Sequence, residues 1–278
     1  MSTTPGRSRR KIRRPFKIIF RLIQIFFALV VIFVASFLVT LAIRTPEPEE
    51  NPAATNYQIH NNSEVGIAGK IERVLNVENA VNEKIRSMRH YVFIKDIPLR
   101  LRQAVIAVED TRFYSHRGFD VEGIIRAALV NVEAGEIQQG ASTITQQLVK
   151  NLFLTQERSF TRKAEEVFLA MSVERTFDKD KILEMYLNTI YFGSNFYGIY
   201  DAAHGYFGKE PKDLTVGECA MLAGLPNAPS VYSPYNNFML AKRRQLVVID
   251  AMVRAHMISS YEAENARIQE IVLSDGVF

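Results

Sequence analysis

A mainly α-helical domain carried on one membrane-spanning helix is the architecture this sequence predicts. Three observations carry it. From Leu99 onward apolar residues recur at helical spacing, with Leu101, Val105 and Val108 at i, i+4 and i+7. Thr215 to Glu218 and Ser259 to Glu262 have the Ser/Thr-x-x-Glu spacing of a helix capping box. Residues 22–43 form a 22-residue run without a charge, and its only polar members are Gln24, Ser36 and Thr40. There is no alternating strand series, no internal repeat and no Gly-rich phosphate loop of the Walker or Rossmann kind.

Residues 1–21 form a basic arm. Eight Lys or Arg residues precede the apolar run, only Arg44 follows it closely, and residues 1–44 contain no acid. At ~1.5 Å per residue the run 22–43 reaches ~33 Å, about the hydrocarbon thickness of a bilayer. The basic flank predicts a cytoplasmic N-terminus and an extracytoplasmic remainder. A cleaved signal peptide is the rival reading, but its apolar region would be only ~7–15 residues and would end in a small-x-small site. Residues 44–65 are rich in Pro, Asn and acid and are expected to be a tether.

The chain's net charge of +4 belongs to the arm, since residues 45–278 hold 25 basic and 30 acidic residues, a net of −5. This excludes a nucleic-acid reading based on basicity. The single Cys219 rules out an internal disulfide and sits in an apolar helical run, where a small buried thiol is expected. The five His residues show no zinc-ligand spacing.

The remaining residues, 66–278, are expected to be one domain. Residues 67–77 are compatible with a short strand or a helix. Asp178 is placed to cap a helix running through 181–192, a further helix covers 215–224, and Pro226, Pro229 and Pro234 punctuate a loop after it.

Three polar blocks lie among these helices. Glu109 and Asp110 end the apolar run 104–108. A carboxylate there is partly desolvated, which raises its pKa and makes it a better base. Taken alone the pair also resembles a solvated helix end, but Phe113, His116 and Gly118 at fixed offsets argue for more. Within 142–151, Thr143, Gln146 (or Gln147) and Lys150 share one helical face, a stripe suited to sugar and phosphate oxygens or an ordinary amphipathic surface. Arg162 and Lys163 stand one turn before Glu166. They form either a surface ion-pair set worth under ~1 kcal/mol or a cationic clamp for a diphosphate, which Lys150 and Arg158 would join.

In this order and spacing the blocks resemble the peptidoglycan glycosyltransferase family. That family comprises monofunctional transglycosylases and the glycosyltransferase domain of class A penicillin-binding proteins. The resemblance spans residues 99–237 and touches five motifs. These are Glu-Asp-x-x-Phe-x-x-His-x-Gly at 109–118, Gly-x-Ser-Thr-Ile-Thr-Gln-Gln at 140–147, Arg-Lys-x-x-Glu at 162–166, Tyr-Leu-Asn at 186–188 and Ala-Gly-Leu-Pro-Asn-Ala-Pro-Ser at 223–230.

The resemblance implies a lysozyme-like, mostly helical domain with a smaller membrane-proximal jaw. Phe119, Val121, Ile124, Ile125 and Leu129 are candidates for the jaw's apolar contact, or for plain helix core. It implies polymerisation of lipid II into β-1,4-linked glycan, with inversion and loss of undecaprenyl pyrophosphate. By the same resemblance Glu109 is the general base and Glu166 the second glutamate, near the leaving diphosphate. Lys150, Arg158 and Lys163 meet the pyrophosphate, while Ser142, Gln146 and Gln147 line the substrate; Arg162, Asp110 and His116 are further substrate-binding candidates. No metal-ligating residues are assigned, although a divalent cation (Mg or Mn) has room to assist the diphosphate.

Expected partners are lipid II, the growing strand and the bacterial cytoplasmic membrane. A transpeptidase or proteins of the divisome or elongasome are further candidates; nucleic acid is not. Outside the arm there is no Ser-x-x-Lys, and Lys-Thr-Gly is absent. A stand-alone polymerase is therefore expected, with a piece of a longer bifunctional chain as the alternative. Competing functions are a glycan-cleaving lysozyme-like hydrolase or lytic transglycosylase, and a non-catalytic cell-wall scaffold. A hydrolase would not need the cations.

Overall fold

The computed structural model describes residues 67–134, 142–154 and 160–274. All of them lie in the compact unit His60–Phe278. The apolar run 22–43, the tether 44–65 and Arg158 fall outside the described residues. Among those described, no helix is long and apolar enough to cross a membrane.

The described residues are mainly helical, and their only strand-like pairing is an isolated bridge between Tyr191 and Tyr197. The segment left open as strand or helix forms α1 (Ile67–Leu75), followed by α2 (Val77–Arg86). Then come α3 (Leu99–Glu109), α4 (Val121–Ala134), α5 (Ile144–Phe153), α6 (Phe160–Thr176) and α7 (Lys179–Thr189). The series continues with α8 (Gly198–Phe207), α9 (Val216–Gly224), α10 (Pro229–Tyr232), α11 (Pro234–Arg254) and α12 (Ser260–Ile268).

Local chemistry sets many of these boundaries. Thr215 and Ser259 both close the expected capping boxes, and Asp178 accepts the Lys181 N–H at 2.7 Å. Each such cap contributes ~1 kcal/mol. The loop expected at Pro226, Pro229 and Pro234 is instead a chain of helical starts: a 3-10 turn at Leu225–Asn227, then α10 and α11. Each proline occupies the first turn of its segment, where its missing N–H has no helical partner to lose.

Helix α9 is the centre of the packing, set against α3 on one side and α11 on the other. Every residue from Gly217 to Gly224 is buried, as befits a helix that is apolar all round. Cys219 is fully buried there, and burial pushes its thiol pKa upward. A second layer packs α5 against α6 and α7.

The segment 91–96 is strapped to α7 by two side chains. Asn188 accepts from Val92 N–H and donates to Val92 O, both at 2.8 Å. Glu184 accepts from the Tyr91 hydroxyl at 2.6 Å and from Ile94 N–H at 2.7 Å. The C-terminal end of α3 meets the N-terminal end of α5, where Asp110 accepts the Ile144 N–H, and the polar blocks gather around them.

Candidate active site

Glu109 is the last residue of α3 and is half-buried. Its Oε2 accepts from Gln147 Nε2 at 2.8 Å. Desolvation raises its pKa above the ordinary carboxylate value. The Gln147 hydrogen bond and the charges of Arg244 and Lys150 oppose that rise, and neighbouring Asp110 adds to it. Gln147 is itself held, since its Oε1 accepts from the Tyr186 hydroxyl at 3.2 Å.

Asp110 and His116 form a buried pair next to Glu109. Asp110 is buried; it takes His116 Nε2 at 2.9 Å and Ile144 N–H, the first donor of α5, at 3.1 Å. His116 is equally buried, its Nδ1 faces no hydrogen-bond partner, and its ring meets Phe113 edge-on. Asp110 also lines the cleft beside Glu109, and His116 is bonded to it. They join the end of α3 to the start of α5.

Gln146 serves the start of α5. It closes a capping box with Thr143, its Oε1 accepting from Thr143 N–H at 3.0 Å, and it is 3% exposed. Thr143 is the cap itself, and its hydroxyl donates to Gly118 O at 2.8 Å. Gly118 is needed at that spot. Its φ is +89°, and a Cβ would lie 3.0 Å from the backbone of Ala170 and Met171. The helical stripe therefore consists of Gln147 and Lys150, and Lys150 is exposed.

The second glutamate sits on α6. Glu166 is 2% exposed; its Oε2 pairs with Arg162 at 3.1 Å and its Oε1 with Lys163. Lys163 also reaches Ser142 Oγ at 3.2 Å. Ser142 is exposed at the rim of an open cleft that Glu109, Thr111, Asp120, Gly123 and Arg126 also line. Ser142 thus joins the two glutamate environments: it lines the cleft with Glu109 and touches the cation paired to Glu166.

Two participants were missed in the sequence. Tyr186 was quoted only as part of a motif, yet it supports Gln147. Arg244, on α11, brings a positive charge to Glu109 from 135 residues downstream. Its stem lies where a Cβ on Gly224 would be 2.8 Å from Arg244 Cγ, and its Nε donates to Gly224 O at 3.3 Å. Gly224 falls inside the fifth motif, so the signal for Arg244 was the glycine that gives it room. Arg126 and Asp120 on the cleft wall were also unremarked.

A helical domain with a half-buried carboxylate at a cleft and a second, cation-paired glutamate beyond its rim defines a class: carboxylate chemistry beside a place for negative charge. The transglycosylase family model matches residues 77–253, and the chain belongs to that family. It is 50% identical over 183 residues to penicillin-binding protein 1A of Neisseria gonorrhoeae, covering 66% of this chain and 23% of that one. It is 49% identical over 179 residues to penicillin-binding protein 1F of Bacillus subtilis, covering 64% of this chain and 25% of that one. The crystal structure of penicillin-binding protein 1A from Haemophilus influenzae is 27% identical, with a TM-score of 0.42 over 68% of this chain and 19% of that one. The chain spans about a quarter of the length of these curated relatives.

Proposed function

We propose that this protein is a peptidoglycan glycosyltransferase. It polymerises lipid II into β-1,4-linked glycan with inversion and release of undecaprenyl pyrophosphate. The observation that carries the reading is the shared rim at Ser142. A carboxylate of raised basicity lines the cleft there, and cations stand next to it.

In this reading Glu109 takes the proton from the acceptor's 4-hydroxyl as that oxygen attacks the donor's anomeric carbon. Inversion in a single displacement requires one base and no covalent intermediate. The bond to the pyrophosphate oxygen breaks, and the developing negative charge meets Lys150, Arg162, Lys163 and Arg158. Glu166 holds Arg162 and Lys163 in place. Ser142 and Gln147 contact substrate oxygens at the rim. Among the described residues no group of three or more His, Cys, Asp or Glu side chains converges to hold a metal. A Mg or Mn ion would therefore meet mainly the substrate's own phosphates.

Residues 22–43 anchor the chain in the cytoplasmic membrane with residues 1–21 inside. Helix α4 belongs to the membrane-proximal jaw. Phe119, Val121, Ile124 and Ile125 are 36–55% exposed, which argues against their alternative reading as helix core and suits contact with lipid. A membrane-held enzyme and a lipid-linked substrate then meet in one plane.

The test is to give the purified full chain lipid II in detergent. The expected product is muramidase-sensitive polymer, lost in Glu109→Gln. Unchanged yield in that variant would refute the base assignment. Release of fragments from finished glycan would favour a hydrolase instead.

A further inference from the structure

We propose that Tyr186 is a positioning residue for Glu109, acting through the side chain of Gln147. Its catalytic consequence rests on the glycosyltransferase reading; its effect on Glu109 itself does not.

Gln147 stands between the two. Its Nε2 donates to Glu109 Oε2 at 2.8 Å, and its Oε1 accepts from the Tyr186 hydroxyl at 3.2 Å. A carboxamide has nearly the same shape in its two flipped orientations but opposite polarity. In one, an N–H faces the carboxylate. In the other, a carbonyl oxygen faces it, and two acceptors meet with no proton between them. Gln147 is only half-buried, so its surroundings do not select between the two by shape. A fixed donor on its far side does.

Tyr186 is suited to be that donor. It is fully buried within α7, the same helix that Asn188 and Glu184 strap to the segment 91–96. Burial and the charges of Glu109 and Asp110 push its phenol pKa well above the ordinary value. The phenol therefore keeps its proton, and Gln147 Oε1 is where that proton points. The Tyr186 hydroxyl bonds to the amide and not to Glu109, so its donor reaches the carboxylate through Gln147. The chain of two hydrogen bonds favours the ionised form of Glu109, against the desolvation that raises it. It also occupies Oε2 and leaves Oε1 to meet a substrate hydroxyl.

The experiment is a carbon-13 NMR titration of Glu109 in the full chain in detergent, with Glu109→Gln identifying the resonance. Tyr186→Phe keeps the buried ring and removes the donor, and it should move the Glu109 midpoint upward. Fluorotyrosine at position 186 keeps the shape and strengthens the donor, so it should move the midpoint downward; it also serves if the phenylalanine variant folds poorly. Gln147→Met breaks the chain, and adding Tyr186→Phe to it should produce no further shift. Against lipid II, Tyr186→Phe should lower kcat about two- to tenfold, the effect of one hydrogen bond. Its acid limb should move upward, with KM changed less than about twofold. A Glu109 midpoint indifferent to both Tyr186 variants, or fully additive shifts in the double variant, would overturn the proposal. A wild-type chain that makes no polymer would instead sink the glycosyltransferase reading, and the titration would still decide the role of Tyr186.

Discussion

Replacing Asp110 with alanine should weaken the fold well beyond the usual effect of a polar substitution. The carboxylate is 7% exposed and has two partners, His116 Nε2 at 2.9 Å and Ile144 N–H at 3.1 Å. Removing it strands a buried imidazole whose other nitrogen already lacks a partner, and it uncaps the first N–H of α5. Hydrogen bonds to a charged group contribute ~1.5–3 kcal/mol each, and the loss of an anion at a helix N-terminus adds ~0.3–1 kcal/mol. The two bonds share one acceptor and relax together, so ~3–5 kcal/mol is the expected total. For a domain of this size that is roughly 6–20 °C in Tm. Asp110→Asn keeps an acceptor for the Ile144 N–H and loses the charge, so it should cost ~1–2 kcal/mol. Thermal unfolding followed by circular dichroism measures both. A Tm within about 3 °C of wild type for Asp110→Ala would refute this structural role.

Three further outcomes follow from the same contacts. Glu109 has a raised folded-state pKa, so the folded chain binds more protons than the unfolded one between the ordinary carboxylate value and that raised value. Stability must therefore fall as pH rises through this window, and Glu109→Gln should unfold at a higher temperature than wild type at pH 7.5, the gap closing in acid. Gly118→Ala meets both a left-handed backbone and the Ala170–Met171 chain at 3.0 Å; a loss of ~2 kcal/mol or more is expected, and a Tm drop of under about 3 °C would count against it. Asn188→Ala loses both bonds to Val92, so amide exchange over residues 91–97 should accelerate at least tenfold with the core amides unchanged.

What the sequence revealed was local. The capping boxes at Thr215 and Ser259, the Asp178 cap and the period of α3 depend on residues three or four apart, and they appear where expected. On α5 the stripe keeps Gln147 and Lys150, while Thr143 precedes the helix as its cap. Thr143 and Gln146 form a third box of the same spacing, hidden by its place in a block already read as ligand-binding. Nonlocal contacts were not legible. Nothing near Arg244 or Tyr186 in sequence says that Glu109 lies beside them, because α11 and α7 reach it only through the packing around α9 and α5. Burial was equally out of reach. Asp110 and His116 have the residue types of a binding site, and nothing in the sequence shows that both are buried.

The two glutamates differ in how their oxygens are occupied, and this separates their roles in the proposed reaction. Both Glu166 oxygens are engaged by cations, Oε2 by Arg162 and Oε1 by Lys163. A hydroxyl approaching Glu166 would have to break an ion pair at a carboxylate that is 2% exposed, and leaving such a group partly unpaired is costly. A diphosphate approaching the same place loses nothing of that kind, because it brings its own charge to the exposed side of Lys163. Glu109 is the reverse case. Its contact is one neutral amide on Oε2, so a hydroxyl can reach Oε1 without displacing a cation. In the proposed reaction proton abstraction is therefore assigned to Glu109, whose Oε1 has no cation paired to it, and the leaving group to the Glu166 side, where cations are already assembled.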